Sequence, residues 1–134
     1  MIKVYVTAVV LLFSAAAAAG DPAAPAPQIL SDAQAAMFPM QDGRSIYEGV
    51  CQACHMPGGA GAVGAGTYPP LAENPTLGAS GYLVSLIIHG QKAMPPLGQF
   101  LSDRQIAEVV NYIRTHFGNH YTDKVTVADV RTMR

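Results

Sequence analysis

Apolar residues recur at helical spacing in three places along the chain, each with start and stop signals beside it. The clearest run is Ile106, Val109, Val110, Ile113 and Phe117. Ser102 and Gln105 ahead of it have the form of a capping box, and Gly118-Asn119 closes it. A middle segment puts Leu83, Leu86 and Ile87 on one side. Ser80 is placed to cap it, and it runs to about His89 before Gly90 stops it. Upstream, Ile46 and Val50 lie one turn apart with Tyr47 beside them, and Asp42 is a good N-cap for a helix from Gly43 to about Val50. Thr126 to Met133 is compatible with a short terminal helix, and Ser31 to Ala36 with one turn that Pro39 halts. No segment alternates as a strand should, and no repeat is visible. The pattern predicts an all-α domain with three main helices.

Between the first two helices, Pro57 to Gly66 has no periodic apolar face and reads as loop. Gly59, Gly61 and Gly64 satisfy G-x-G-x-x-G, but no strand precedes them, no helix follows, and Pro69-Pro70 closes the segment. Without a βαβ unit the match is an accident of composition.

The first residues follow another pattern. Lys3 is followed by the apolar run Val4 to Phe13 and then by small residues, with Ala17 and Ala19 suiting a cut after Ala19. Val4 to Ala19 is 16 residues, short of the roughly 20 that span a bilayer. Residues 1–19 are therefore expected to be a cleaved signal peptide, with no membrane anchor after its removal. Residues 20–41 are expected to be an Ala/Pro-rich linker, 42–119 the folded domain and 120–134 a C-terminal extension.

Export changes how the charge and the cysteines are read. Losing Lys3 leaves seven basic against nine acidic side chains, which argues against a nucleic-acid partner. Both cysteines fall in Cys51-Gln-Ala-Cys54-His55, so no thiol remains for a separate structural disulfide. A zinc site would want four ligands, and a thioredoxin-like pair would want a βαβ context; a plain disulfide between the two leaves His55 unexplained. The spacing instead suits covalent haem c: two thioethers to one edge of the ring, and His55 beneath the iron.

A second axial ligand should then follow. Met1 leaves with the signal, Met56 adjoins His55, Met37 and Met40 precede the first helix, and Met133 is near the end. Met94 lies 39 residues beyond His55 in a Met-Pro-Pro loop between two helices, where backbone stiffness can hold a ligand. It is the favoured distal ligand, and His89 is its rival. His116 and His120, at or past the end of the last helix, have no constellation around them.

With these residues in place, Asp42 to Asn119 resembles class I c-type cytochromes. The run from Met94-Pro-Pro-Leu-Gly through Asn111-Tyr-Ile-Arg to Asn119 is similar to monohaem domains that serve periplasmic alcohol, aldehyde and related dehydrogenases. The resemblance implies a small cytochrome c fold wrapped around one covalent haem. It implies a close crossing of the first and last helices at Gly43, with Tyr47 near Tyr112. It also implies a proline carbonyl accepting from His55 Nδ1, with Pro69 favoured by its spacing to Leu71 and Pro70 left open. Tyr68, Leu71, Leu83, Ile87 and Leu97 become candidate walls, a role that ordinary core residues would fill equally well.

The implied role is a periplasmic electron carrier, not an enzyme. A dehydrogenase would be the donor, and a terminal oxidase or another cytochrome the acceptor. The alternatives are a permanent subunit of a dehydrogenase complex, and a haem enzyme or gas-binding protein. With a single haem motif and no C-terminal membrane anchor expected, the chain departs from the pattern of the dehydrogenase subunits. Between Gly49 and Ser102 the charged residues are Glu73 and Lys92 alone, so docking should be apolar and only weakly salt-dependent.

Overall fold

The computed structural model describes residues 37–134 other than Ala65. The expected signal peptide, most of the linker and the turn at Ser31 to Ala36 lie outside the described residues.

The first helix begins where Asp42 predicts, its carboxylate accepting from Ser45 N at 2.9 Å. From α1 (Gly43–Ile46) the chain passes through a π-helical turn, Tyr47–Cys51, into α2 (Gln52–His55). The helix thus extends past Val50, through both cysteines. Apolar periodicity ends at Val50, but Gln52 and Ala53 are good helix formers and carry it on. It stops at Met56, whose φ of 64° is left-handed.

The middle helix, α3 (Ser80–His89), lacks its expected cap: Ala79 holds the N-cap position, with no side-chain bond, and Ser80 is already helical. A 3₁₀ turn, Pro75–Gly78, feeds the chain directly into it, and Asn74 caps that turn instead by accepting from Thr76 N. In α4 (Asp103–Thr115), Ser102 and Gln105 form the reciprocal capping box. The helix ends before Phe117, which takes a φ of 60° yet still packs on Tyr47, their centroids 4.8 Å apart. A second capping box, Thr126 with Asp129, starts α5 (Val127–Arg131).

The all-α expectation is incomplete. Ala62–Val63 (β1) and Thr67–Tyr68 (β2) pair antiparallel, Ala62 opposite Tyr68 and Val63 opposite Thr67. Two residues per strand are too few to show alternation. Among the described residues no helix is long and apolar enough to cross a membrane.

Gly43 lets α1 and α4 cross in direct backbone contact, since a Cβ there would lie 2.3 Å from Glu108 O and 2.5 Å from Tyr112 Cβ. Tyr47 and Tyr112 flank the crossing at 5.9 Å. Ile46, Val109 and Val110 fill it completely buried. Residues 120–134 pack against this core: Val130 is fully buried beside α4, worth roughly 1.5–3 kcal/mol, and Asn111 bonds both N and O of Val125 at 2.9 Å.

Buried polar side chains tie the loops down. Gln105 Nε2 donates to Phe38 O and Met40 O. Arg114 donates to Leu77 O at 2.9 Å and to the Asp123 carboxylate at 2.7 and 2.8 Å, with Tyr121 against its face.

Two expectations follow. Gly43→Val should force the helices apart and cost about 1–3 kcal/mol, the usual range for overpacking, read by denaturant unfolding. The Arg114 hydrogen bond holds the Asp123 carboxyl below its ordinary pKa. Its stabilisation is complete above the ordinary carboxylate value and drains as pH falls through the lowered folded value. Asp123→Asn should therefore flatten the acid limb of the unfolding midpoint plotted against pH.

Candidate functional site

A cavity of about 590 Å³ opens between α2, α3 and the loops on either side of α3, well within the ~300–1,000 Å³ usual for small-molecule sites. Cys51, Cys54 and His55 line it from the first helix, and Met94 lines it from the loop after α3. Tyr68, Leu71, Leu83, Ile87 and Leu97, the five candidate wall residues, all line it too.

The helical run through the motif explains how the thiols share one wall. Cys51 ends the π turn and Cys54 sits three positions on, so both project from neighbouring turns of one continuous helix. Burial first, and the Cys54 thiol second, push the Cys51 thiol up to about 12. Before attachment, Cys51 in this apolar wall is thus a neutral thiol at physiological pH. No disulfide joins Cys51 to Cys54. Among the described residues no three His, Cys, Asp or Glu side chains gather as a metal cluster.

His55 Nδ1 lies 3.0 Å from Pro69 O. A carbonyl only accepts, so Nδ1 carries the proton and Nε2 keeps its lone pair free. Pro70 O is engaged elsewhere, accepting from Asn74 Nδ2 at 2.8 Å.

The glycine-rich loop turns out to serve this contact. Gly61 N donates to His55 O at 2.9 Å, and a Cβ on Gly61 would lie 2.5 Å from Tyr68 O and 2.7 Å from Pro70 N. With a φ of 68° this position favours glycine twice over. Gly59 O accepts from Leu71 N and Ala72 N, fastening the far side of the same segment. Neither role was visible in the sequence, where the fingerprint match drew attention to the glycines for the wrong chemistry.

The rivals to Met94 lie elsewhere. His89 is exposed, with Nε2 3.2 Å from Met133 O. His116 stacks on Tyr112 at 4.1 Å. Met40 packs over Gly49, and Met133 over Gly81. Of the methionines among the described residues, Met94 alone lines the cavity.

Comparison with known proteins gives the class. Residues 38–113 match the family described as cytochrome c oxidase, cbb3-type, subunit III, and the chain belongs to this family of cytochrome c domains. It is a c-type cytochrome, a class that carries covalently bound haem c. It is 39% identical over 105 residues to the cytochrome c subunit of the quinone alcohol dehydrogenase of Gluconacetobacter polyoxogenes, covering 69% of this chain and 22% of that one. To the fructose dehydrogenase cytochrome subunit of Gluconobacter japonicus it is 37% identical over 93 residues, 58% of this chain and 19% of the relative. To cytochrome c6 of Parathermosynechococcus lividus it is 31% identical over 75 residues, 55% of this chain and 86% of the relative. The chain spans about a fifth of the length of the dehydrogenase subunits that it matches.

The residues fit the group this family carries: two thiols at attachment spacing, an imidazole with a free nitrogen and an apolar cavity. Met94→Ala in the haem-loaded protein should abolish the methionine-to-iron charge-transfer band of the ferric spectrum. It should also lower the potential by about 0.2 V, within the ~0.8 V that axial ligands span; an unchanged spectrum would defeat the assignment.

Proposed function

We propose that this protein is a periplasmic single-electron carrier that accepts electrons from a dehydrogenase and passes them toward a terminal oxidase or another cytochrome. The observation that carries the reading is the convergence of Cys51, Cys54, His55 and Met94 on one cavity, with the Nδ1 proton of His55 held by Pro69 O.

Bound haem supplies a one-electron ferric–ferrous couple. In this reading Cys51 and Cys54 would tether it, and His55 and Met94 would hold its iron. The Pro69 carbonyl fixes the imidazole's orientation and makes Nε2 a stronger donor. The Met94 thioether is a soft ligand that favours the reduced state and raises the potential. Leu71, Leu83 and Ile87, all buried, keep water from the cavity wall. Little rearrangement of charge or solvent then accompanies each electron.

Substrate chemistry is disfavoured by what the wall lacks. Among the described residues lining the cavity there is no arginine, no carboxylate and no histidine beyond His55. A peroxidatic site would want a distal acid or base there. The ferrous protein is therefore expected to refuse carbon monoxide, and rapid binding would favour the gas-binding alternative.

A dehydrogenase donor is supported by the relatives, which are cytochrome subunits of alcohol and fructose dehydrogenases. Export is supported by the signal-like residues 1–19. On this reading residues 20–41 are a linker, 42–119 the haem domain and 120–134 an extension packed onto it. Free carrier and permanent subunit remain two forms of the same role, and size-exclusion of the natively expressed protein separates them.

The cavity mouth suggests how the partner docks. Lys92 is the one charged side chain among the described residues that line it, and Tyr82 and Pro95 are exposed there. Reduction by the catalytic subunit of a quinone alcohol dehydrogenase should be followed in stopped flow as the Debye length falls from about 30 Å to about 3 Å, from about 0.01 to 1 M salt. The second-order rate is expected to change by less than about threefold, since no large charge pair steers the encounter. A steep decline with salt would exclude the apolar mouth as the docking surface.

A further inference from the structure

The loop that presents Met94 is poorly able to fasten itself. Pro95 and Pro96 have no N–H to donate, so the backbone donates nothing between Met94 and Leu97. Ahead of Met94 a tight turn closes through Met94 N to Gln91 O at 2.9 Å and Gln91 N to Met94 O at 3.0 Å. Past the prolines, Leu97 N and Gly98 N donate to Ile87 O and Ile88 O at the end of α3. These bonds hold the donor side of the segment, and Leu97 O accepts from Phe100 N and Leu101 N within it; Gly98 O and Leu101 O are met from elsewhere.

Their partner comes from beyond α5. Arg134 donates from Nη1 to Gly98 O and from Nη2 to Leu101 O, the latter at 2.8 Å. Its Nε donates to the carboxylate of Asp103, in the first turn of α4, which Arg131 also approaches at 3.6 Å. One planar guanidinium thus joins both carbonyls of the post-ligand segment to the start of α4. The base it reaches from is firm: Val130 is completely buried, Met133 sits over Gly81 of α3, and Met133 O lies 3.2 Å from His89 Nε2.

We propose that Arg134 is a positioning residue for Met94, its fork of hydrogen bonds to Gly98 O and Leu101 O clamping the ligand loop against α3 and α4. The clamp rests on the reading of Met94 as the distal ligand. It acts on how often the thioether leaves its place, not on the electron transfer itself. Lysine cannot substitute, because an ammonium keeps the charge and loses the planar fork.

The test is imidazole entry into the ferric, haem-loaded protein, followed in stopped flow through loss of the methionine charge-transfer band, which reports Met94 release. Arg134→Gln is expected to retain the band and to admit imidazole about tenfold faster, in line with losing hydrogen bonds to a charged donor. Arg134→Lys should behave like Arg134→Gln, and wild-type rates in it would overturn the role of the fork. Asp42→Ala removes the cap of α1 and lowers global stability by about 1 kcal/mol, so it controls for general loosening and should leave entry unchanged. If Met94→Ala fails to abolish the band, the ligand reading falls and the clamp falls with it. If Met94→Ala abolishes the band while Arg134→Gln admits imidazole no faster than wild type or Asp42→Ala, the clamp alone is overturned.

Discussion

The hydrogen bond from His55 Nδ1 to Pro69 O, at 3.0 Å, is the constraint to which most of the irregular structure answers. An imidazole at a helix end rotates freely unless its second nitrogen is held, and a carbonyl 14 residues on must be brought to it. Gly61 gives the backbone room to approach, β1 and β2 fix the height of the strand that leads into Pro69, and Gly59 O grips the two amides beyond. Asn119 then extends the hold to the end of α4. Its Nδ2 donates to Leu71 O and Ile113 O, and its Oδ1 accepts from Asn74 N. One ring orientation is thereby linked to the helix that crosses at Gly43.

What the sequence made legible divides along physical lines. The capping box at Ser102 and Gln105 and the apolar face of α4 were readable because local signals agree there with the tertiary outcome. Cys51, Cys54 and His55 were readable because attachment chemistry demands fixed spacing. Met94, singled out because its prolines mark a stiff loop, lines the cavity. The parts missed depend on contacts distant in sequence. Ser80 looked like a cap because serine prefers that position, but the 3₁₀ turn before it moved the helix start by one residue. The extension of the first helix to His55 carries no apolar repeat, since its cysteines and histidine face a cavity and not a neighbouring helix. The burial of Gln105, Arg114 and Asn119 left no sequence trace: Gln105 was legible as a capping residue and Asn119 as part of a helix stop, and neither role requires burial.

That polar burial follows from the cavity. A small domain that gives part of its interior to a bound group has less apolar core of its own. Much of the remaining chain is loops, whose enclosed carbonyls have no ladder to satisfy them. Gln105 serves Phe38 and Met40, Arg114 serves Leu77, and Asn119 serves Leu71, each a loop carbonyl reached from α4 or its end. Each donor removed would leave an acceptor unpaired at about 1–3 kcal/mol, a large share of a small domain's stability. Arg134 at Gly98 and Leu101 is the same device applied to the one loop that carries a proposed ligand. The charges needed for such work are thereby drawn to α4 and the C-terminal segment. Among the described residues that line it, the cavity mouth keeps Lys92 as its one charged side chain, so the chemistry that holds the loops leaves the proposed docking surface with a single charge.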